Sequence, residues 1–159
     1  ENLAMGQVNI PDEKMIEVLK TVKLWSIFEK DRGLDSILKS QGKNLSGGQA
    51  QRVALARALL YDASVYIFDE ATSNIDIESE EIILNIIHNL AKTKTIIYIS
   101  HRLSAIKNAD CIYAMDKGRI IEYGKHQELY EKNGLYSEMY KNQEVLETYL
   151  SKRGEKNEK

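Results

Sequence analysis

Residues 44–52 read NLSGGQAQR, and this stretch decides how the rest of the chain is interpreted. Ser46 is a good helix N-cap, because its hydroxyl can accept a hydrogen bond from the N–H groups of the first helical turn. Gly47 and Gly48 allow a ligand to approach the backbone closely, and the positive end of a helix dipole attracts phosphate. The pattern therefore predicts a helix over residues 46–60 that begins with a phosphate-contacting turn. The predicted contacts in this turn are Ser46, Gly47, Gly48 and Gln49.

A second stretch, VYIFDE at residues 65–70, places two carboxylates directly after four apolar residues. It predicts a buried strand with Asp69 and Glu70 at its carboxyl end, where ligands bind in open α/β sheets. Because strand side chains alternate, Glu70 is expected to point differently from Asp69. Taken alone, the pair is better explained as a solvated strand end or a helix cap than as a catalytic pair. The β-branched run at residues 95–99 predicts another strand, and His101 follows it, so we expect His101 near the same edge of the sheet.

Strands alternate with helical patterns along the chain, which predicts an α/β fold with a parallel sheet and a late antiparallel pair. The first 44 residues carry mostly helical patterns, and the last nine are nearly all charged or polar, which predicts disorder. The remaining predicted elements are a helix at 77–90, strands at 111–115 and 119–122, and helices at 103–108, 126–130 and 135–150.

The two stretches, in this order, resemble the signature motif and the Walker B motif of ABC-type ATPases. Residues 45–49 match LSGGQ without a departure, residues 73–76 (SNID) resemble the D-loop, and residues 100–102 (SHR) resemble the switch-histidine loop. The resemblance extends to about residue 140. It implies part of a P-loop NTPase, RecA-like α/β domain with an ABC helical subdomain. The implied divisions are residues 1–61 for the helical subdomain with the signature motif, 62–132 for the C-terminal part of the ATPase core, and 133–159 for a final helix and charged tail.

The resemblance also implies a role for each candidate site residue. Hydrolysis of ATP needs a metal ion, an oriented water and positive or N–H groups around the developing charge. Asp69 is expected to help hold Mg²⁺, Glu70 to act as the general base, and His101 to contact the γ-phosphate. Residues 46–49 are implied to cap ATP that is bound to a second nucleotide-binding domain, and Asp76 to reach across the same dimer interface.

The phosphate loop of this family, G-x-x-x-x-G-K-[S/T], does not occur in the 159 residues. Gly42-Lys43 is followed by Asn44, and Gly124-Lys125 is followed by His126, so neither pair fits the pattern. The interpretation is that the first strands and the Walker A motif are missing from this sequence. We therefore predict that the chain alone binds ATP weakly or not at all and does not hydrolyse it.

Within the family, the sequence resembles exporters, in which the ATPase is fused to a transmembrane domain. Ala71 follows Asp69-Glu70, and the segments at residues 99–106 and 118–129 are also exporter-like. The implied function is ATP-driven solute export, with a second nucleotide-binding domain and a transmembrane domain as partners, at the cytoplasmic face of a membrane. One alternative is a soluble ABC ATPase of DNA repair or translation, and another is a non-catalytic remnant that only supplies a signature motif. The cargo stays open.

Composition sets few further limits. Hydrophobic residues make up 43% of the chain, and no apolar run approaches the roughly 20 residues that a membrane-spanning helix needs. The formal net charge of −2 gives no electrostatic reason to expect nucleic acid as a partner. The single cysteine, Cys111, lies in an apolar run, which predicts a buried thiol and suits a reducing, cytoplasmic setting.

Overall fold

Helices dominate the first part of the chain, as predicted. The computed structural model describes residues 1–7 and 9–157, and it divides into two compact units, Glu1–Ile99 and Ser100–Lys159. The helices of the first unit are α1 (Asp12–Thr21), α2 (Trp25–Glu29), α3 (Gly47–Tyr61) and α4 (Ile77–Leu90), with short 3₁₀ turns at Gly33–Asp35 and Ser40–Gly42.

Helix α1 begins and buries one face for reasons that its sequence makes plain. Pro11 precedes it with φ of −61°, which suits a helix start, and Asp12 and Glu13 lie in the first turn, where they interact favourably with the helix dipole. Leu19 and the C-cap residue Val22 are buried. This face packs on α3, so α1 supports the helix that carries the LSGGQ sequence.

The strands β1 (Val65–Asp69) and β2 (Thr95–Ile99) form a parallel pair, which confirms the predicted α/β fold. Their register places Asp69 opposite Ile99, so the two strands end together. The loops before them are joined by Lys94, whose Nζ lies 2.9 Å from Asp62 Oδ1. The parallel ladder brings the two carboxyl ends to the same edge of the sheet.

The sequence predicted that the strand at residues 65–69 is buried. This prediction is wrong for one of the two faces of β1. Tyr66 and Phe68 are buried in the core with residues of the helices, whereas Val65 and Ile67 are 49% and 66% exposed. Ile97 and Ile99 of β2 are also exposed. Because strand side chains alternate, the helices cover only the face that carries the aromatic rings, and a β-branched stripe remains on the other face.

The second unit contains an antiparallel hairpin and three helices. Its elements are α5 (Leu103–Ile106), β3 (Ile112–Asp116), β4 (Arg119–Gly124), α6 (His126–Glu131) and α7 (Leu135–Asn157). The hairpin register shifts between Ala114 and Met115, and the turn at Lys117 and Gly118 has positive φ at both residues. Such left-handed turns match the twist of the two strands, which explains why this short connection closes the predicted pair.

An aromatic cluster forms the centre of the second unit. His126 lies among the rings of Tyr130, Tyr136 and Tyr140, and its Nδ1 is 2.8 Å from the Tyr136 hydroxyl. Burial lowers the pKa of His126, and the nearby Lys107 lowers it further. Burial also raises the pKa of Tyr136 to about 12. Both shifts favour the neutral forms of the two groups.

Two expectations for this unit are wrong. Cys111 is exposed, because β3 begins one residue later, at Ile112, and leaves the thiol outside the strand. The helix predicted to end at residue 150 continues to Asn157, through part of the tail predicted to be disordered. Lys, Glu and Arg are good helix formers, so a polar composition did not exclude a helix here. Residues 158 and 159 of that tail lie outside the described residues.

The three-part division at residues 1–61, 62–132 and 133–159 stays a prediction. None of the helices in the described part of the chain combines the length and the apolar character that a membrane span requires.

Candidate functional site

The first turn of α3 forms at the position where the sequence predicted a phosphate-contacting turn. Ser46 is its N-cap, and a reciprocal capping box closes it. The Gln49 N–H donates to Ser46 Oγ at 3.2 Å, and the Ser46 N–H donates to Gln49 Oε1 at 3.0 Å. Each of the two side chains thus accepts a hydrogen bond from the backbone N–H of the other residue. By helix geometry, the N–H groups of the first turn that this box does not use are those of Gly47 and Gly48.

Gly48 serves a purpose that the sequence did not reveal. It is buried, and a Cβ at this position would overlap Ser79 Oγ, lie 2.5 Å from Ser79 Cβ, and lie 2.6 Å from Asp76 Oδ2. A Cβ on Gly47 would meet only the Asn74 carbonyl oxygen, at an ordinary 3.7 Å. The sequence assigned both glycines to the approach of a ligand, but the free side of Gly48 faces α4. The first turns of α3 and α4 are therefore in direct contact.

Asp76 is the N-cap of α4, so it has a role within its own chain. Its Oδ1 accepts a hydrogen bond from the Ser79 N–H at 2.8 Å. The hydrogen bonds from the Ser79 backbone and side chain lower the pKa of Asp76, and the positive charge of Arg52 lowers it further. Asp76 is thus held as a carboxylate beside the candidate phosphate turn, and its predicted contact across a dimer interface stays a prediction.

Arg52 also contacts this turn, and sequence reasoning missed it. Its Nε donates to the Gly48 carbonyl oxygen at 3.4 Å, and one terminal nitrogen donates to the carbonyl oxygens of Val22 and Lys23 at 3.4 and 3.3 Å. These carbonyls follow the end of α1, where a cation is favoured by the helix dipole. The available signal was the spacing of four residues between Gly48 and Arg52, which places both on one face of α3.

The carboxylates at residues 69 and 70 lie at the carboxyl end of β1, as predicted, but Glu70 leaves the strand geometry. Asp69 is exposed and pairs in register with Ile99. Glu70 has φ of +48°, its N–H donates to the Ile99 carbonyl oxygen at 3.0 Å, and its own carbonyl accepts from the Ser73 N–H at 2.9 Å. The different direction expected for Glu70 was attributed to strand alternation, whereas the chain reverses here through a left-handed backbone.

A magnesium role for Asp69 fits the chemistry of its position. Mg²⁺ keeps several waters and takes one or two carboxylates together with phosphate oxygens, so one exposed carboxylate at a strand end is a suitable partner. Within the described residues, no group of three or more His, Cys, Asp or Glu side chains could hold a metal ion by itself. Asp69 would therefore act together with water and phosphate ligands.

His101 lies in the second unit, two residues after the end of β2. Its side chain is exposed, and the preceding Ser100 Oγ accepts a hydrogen bond from the Arg102 N–H at 2.9 Å. This local turn shapes the segment that carries the imidazole. The predicted contact of His101 with the γ-phosphate stays a prediction.

Comparisons with known proteins agree with these motifs. Residues 2–73 match the ABC transporter family. The chain is 54% identical, over 92% of its length, to an uncharacterized ABC transporter ATP-binding protein of Haemophilus influenzae. It is 47% identical, over 88% of its length, both to an ATP-dependent lipid A-core flippase of Alcanivorax borkumensis and to a leukotoxin export ATP-binding protein of Aggregatibacter actinomycetemcomitans.

A solved structure is similar over the same extent. The structure of a bacterial Atm1-family ABC exporter with ATP bound aligns with 89% of this chain at a TM-score of 0.82 and 36% sequence identity. The chain spans 26%, 24% and 20% of the lengths of the three curated relatives, and 25% of the solved exporter chain. It therefore corresponds to between a fifth and about a quarter of each of these proteins.

Proposed function

The chain belongs to the ATP-binding domains of exporter-type ABC transporters, and from this membership we propose that it helps to drive solute export by binding and hydrolysing ATP at an interface with a second such domain. The observation that carries the proposal is the first turn of α3. Its capping box occupies the side chains of Ser46 and Gln49 and leaves the N–H groups of Gly47 and Gly48 to a phosphate. These N–H groups, at the positive end of a 15-residue helix, suit the γ-phosphate of a nucleotide held by the partner domain.

The reaction chemistry would come from the carboxyl ends of β1 and β2. Asp69 would help to hold Mg²⁺, which supplies charge neutralisation at the phosphates when it is bound. Glu70 would accept a proton from the attacking water. His101 would contact the γ-phosphate, and Asp76 would contact the partner domain.

This division of labour makes the chain dependent on other parts of a transporter. No G-x-x-x-x-G-K-[S/T] sequence occurs in the 159 residues, so the N–H groups and lysine of a phosphate loop would come from elsewhere. We therefore expect weak ATP binding and no turnover by the chain alone. A transmembrane domain of the same transporter would be the second partner, which would place the chain at the cytoplasmic face of a membrane.

The names of the relatives do not select a cargo. One relative is a lipid A-core flippase and another is a leukotoxin export protein, and these cargoes are chemically unlike. We therefore propose solute export without a substrate class.

The test compares two substitutions in the transporter that carries this chain. Glu70→Gln keeps the shape of the side chain but removes the base, so the kcat for ATP hydrolysis should fall by roughly 100- to 10,000-fold. Because the substitution leaves the phosphate contacts in place, the KM for ATP should change little.

Glu78→Gln is the matched control, because Glu78 is an exposed carboxylate in the first turn of α4. It should retain the activity of the unsubstituted protein. Equal activity of the Glu70→Gln and Glu78→Gln proteins would refute the assignment of Glu70 as the base.

A further inference from the structure

We infer that Ser79 is the positioning residue of the candidate phosphate turn, because its side chain fills the space opposite Gly48 and thereby fixes the position of the first turn of α3. The inference rests on the proposed function only in taking the Gly47 and Gly48 N–H groups as the nucleotide contact. The contact between the two helices stands independently of that function.

The position of Ser79 is itself fixed by the cap of α4. Its N–H donates to Asp76 Oδ1 at 2.8 Å, and its side chain is only 2% exposed. The Ser79 Cβ is attached to this backbone, so it cannot move away from α3 without breaking the cap or shifting the first turn of α4. Gly48 therefore meets a rigid surface.

The backbone conformation at position 48 does not require glycine. Its φ does not lie in the left-handed region, so any residue could adopt this conformation. Within a helix, glycine is less favourable than alanine. The space occupied by Ser79 and by the Asp76 carboxylate, and not the backbone conformation, is what excludes a Cβ at this position.

Arg52 restrains the same turn through hydrogen bonds. The Gly48 carbonyl oxygen accepts from Arg52 Nε, and Arg52 also donates to the carbonyl oxygens that follow α1. The contact with Ser79 and the hydrogen bonds from Arg52 both restrain the position of the turn. A displacement of the first turn of α4 would consequently move the Gly47 and Gly48 N–H groups with it. In this way Ser79 acts on the nucleotide contact through Gly48 and does not itself touch the nucleotide.

A double-substitution cycle on the whole 159-residue chain tests the contact. Gly48→Ala should lower the unfolding temperature by roughly 3 to 10 °C, because overpacking a buried contact is destabilising. Ser79→Gly should lower it as well, through the loss of a buried side chain and the cost of glycine in a helix. In the Ser79→Gly background, however, Gly48→Ala should cost much less, because both Ser79 atoms that the new methyl group would strike are gone and only Asp76 Oδ2, at the end of a side chain, must still shift.

Gly47→Ala is the matched control, since its Cβ would meet only an ordinary contact. Its effect on the unfolding temperature should be small, and it should be the same in the Ser79→Gly background as in the otherwise unsubstituted chain. If the effects of Gly48→Ala and Ser79→Gly simply add, the inference is wrong.

A spectroscopic measurement separates positioning from a purely structural role. In ¹H–¹⁵N spectra, Ser79→Gly should shift the amide resonances of Gly47 and Gly48, whereas Glu78→Gln, one residue away on an exposed face, should leave them in place. Unchanged glycine resonances in the Ser79→Gly chain would also overturn the inference. Neither experiment contains ATP, so failure of the proposed function would appear separately, as full activity of the Glu70→Gln transporter.

Discussion

Removal of the Ser46 hydroxyl tests the candidate phosphate turn most directly. Ser46→Ala deletes the acceptor of the 3.2 Å hydrogen bond from the Gln49 N–H. Of the two hydrogen bonds in the reciprocal capping box, only the one from the Ser46 N–H to Gln49 Oε1 then remains possible. We expect a lower free energy of unfolding for the first unit, whose core includes Val53 and Ala56 of the same helix.

The magnitude follows from the loss of one helix cap. Replacing an N-cap serine by alanine costs about 1 kcal/mol. With an m-value of about 1–3 kcal/mol/M in urea, the denaturation midpoint should fall by roughly 0.3–1 M. Trp25 is the single tryptophan of the chain and packs against the core of the first unit, so its fluorescence reports this transition.

Ser46→Asp is the informative companion, because it separates stability from ligand contact. Aspartate caps a helix as well as serine does and is favoured by the helix dipole. The midpoint should therefore stay near that of the unsubstituted chain, while the new negative charge should repel a phosphate at the turn. If Ser46→Asp lowers the midpoint as much as Ser46→Ala, or if Ser46→Ala has no effect, the account of the turn is refuted.

Two further predictions concern ATP and pH. The chain alone should show no quenching of Trp25 fluorescence by Mg-ATP at millimolar concentration, because its sequence contains no phosphate loop; micromolar binding would contradict this and would make the Ser46–Gln49 turn the first place to substitute. Stability of the second unit should fall as the pH drops below about 6.5, because burial lowers the pKa of His126 in the fold and protonation then favours the unfolded chain. Thermal melts followed by circular dichroism between about pH 7.5 and pH 5.5 should show this loss. His126→Gln should make the unfolding temperature less dependent on pH. Equal pH dependence of both proteins would show that protonation of His126 is not the cause.

The elements with strong sequence patterns were predicted almost residue by residue. The helix at 77–90 and the strand at 95–99 match α4 and β2, because four isoleucines recur at helical spacing in the first and β-branched residues fill the second. The α3 start was predictable for the same kind of reason, since Ser46 and Gln49 form a local capping box three residues apart. Interactions between residues three or four positions apart can be recognised from their spacing in the sequence.

Contacts between distant segments could not be predicted in this way. Gly48 and Ser79 are 31 positions apart, and the LSGGQ motif offered a ready explanation for both glycines that hid the packing requirement of one. Arg52 was likewise overlooked, because its partners are carbonyl groups that follow α1, and backbone acceptors have no sequence signal. The exposure of Ile67 was missed because an apolar run fits a strand covered on one face or on both.

The left-handed backbone of Glu70 has a consequence for how position 70 responds to selection. A side chain with a Cβ is strained at φ of +48°, by about 1 kcal/mol, whereas glycine is not. Selection for folding alone would therefore favour glycine or asparagine at this position, while selection for ATP turnover would require the carboxylate. Stability and ATP turnover therefore favour different residues at position 70. Replacements that stabilise the chain at this position would be those that abolish the proposed activity.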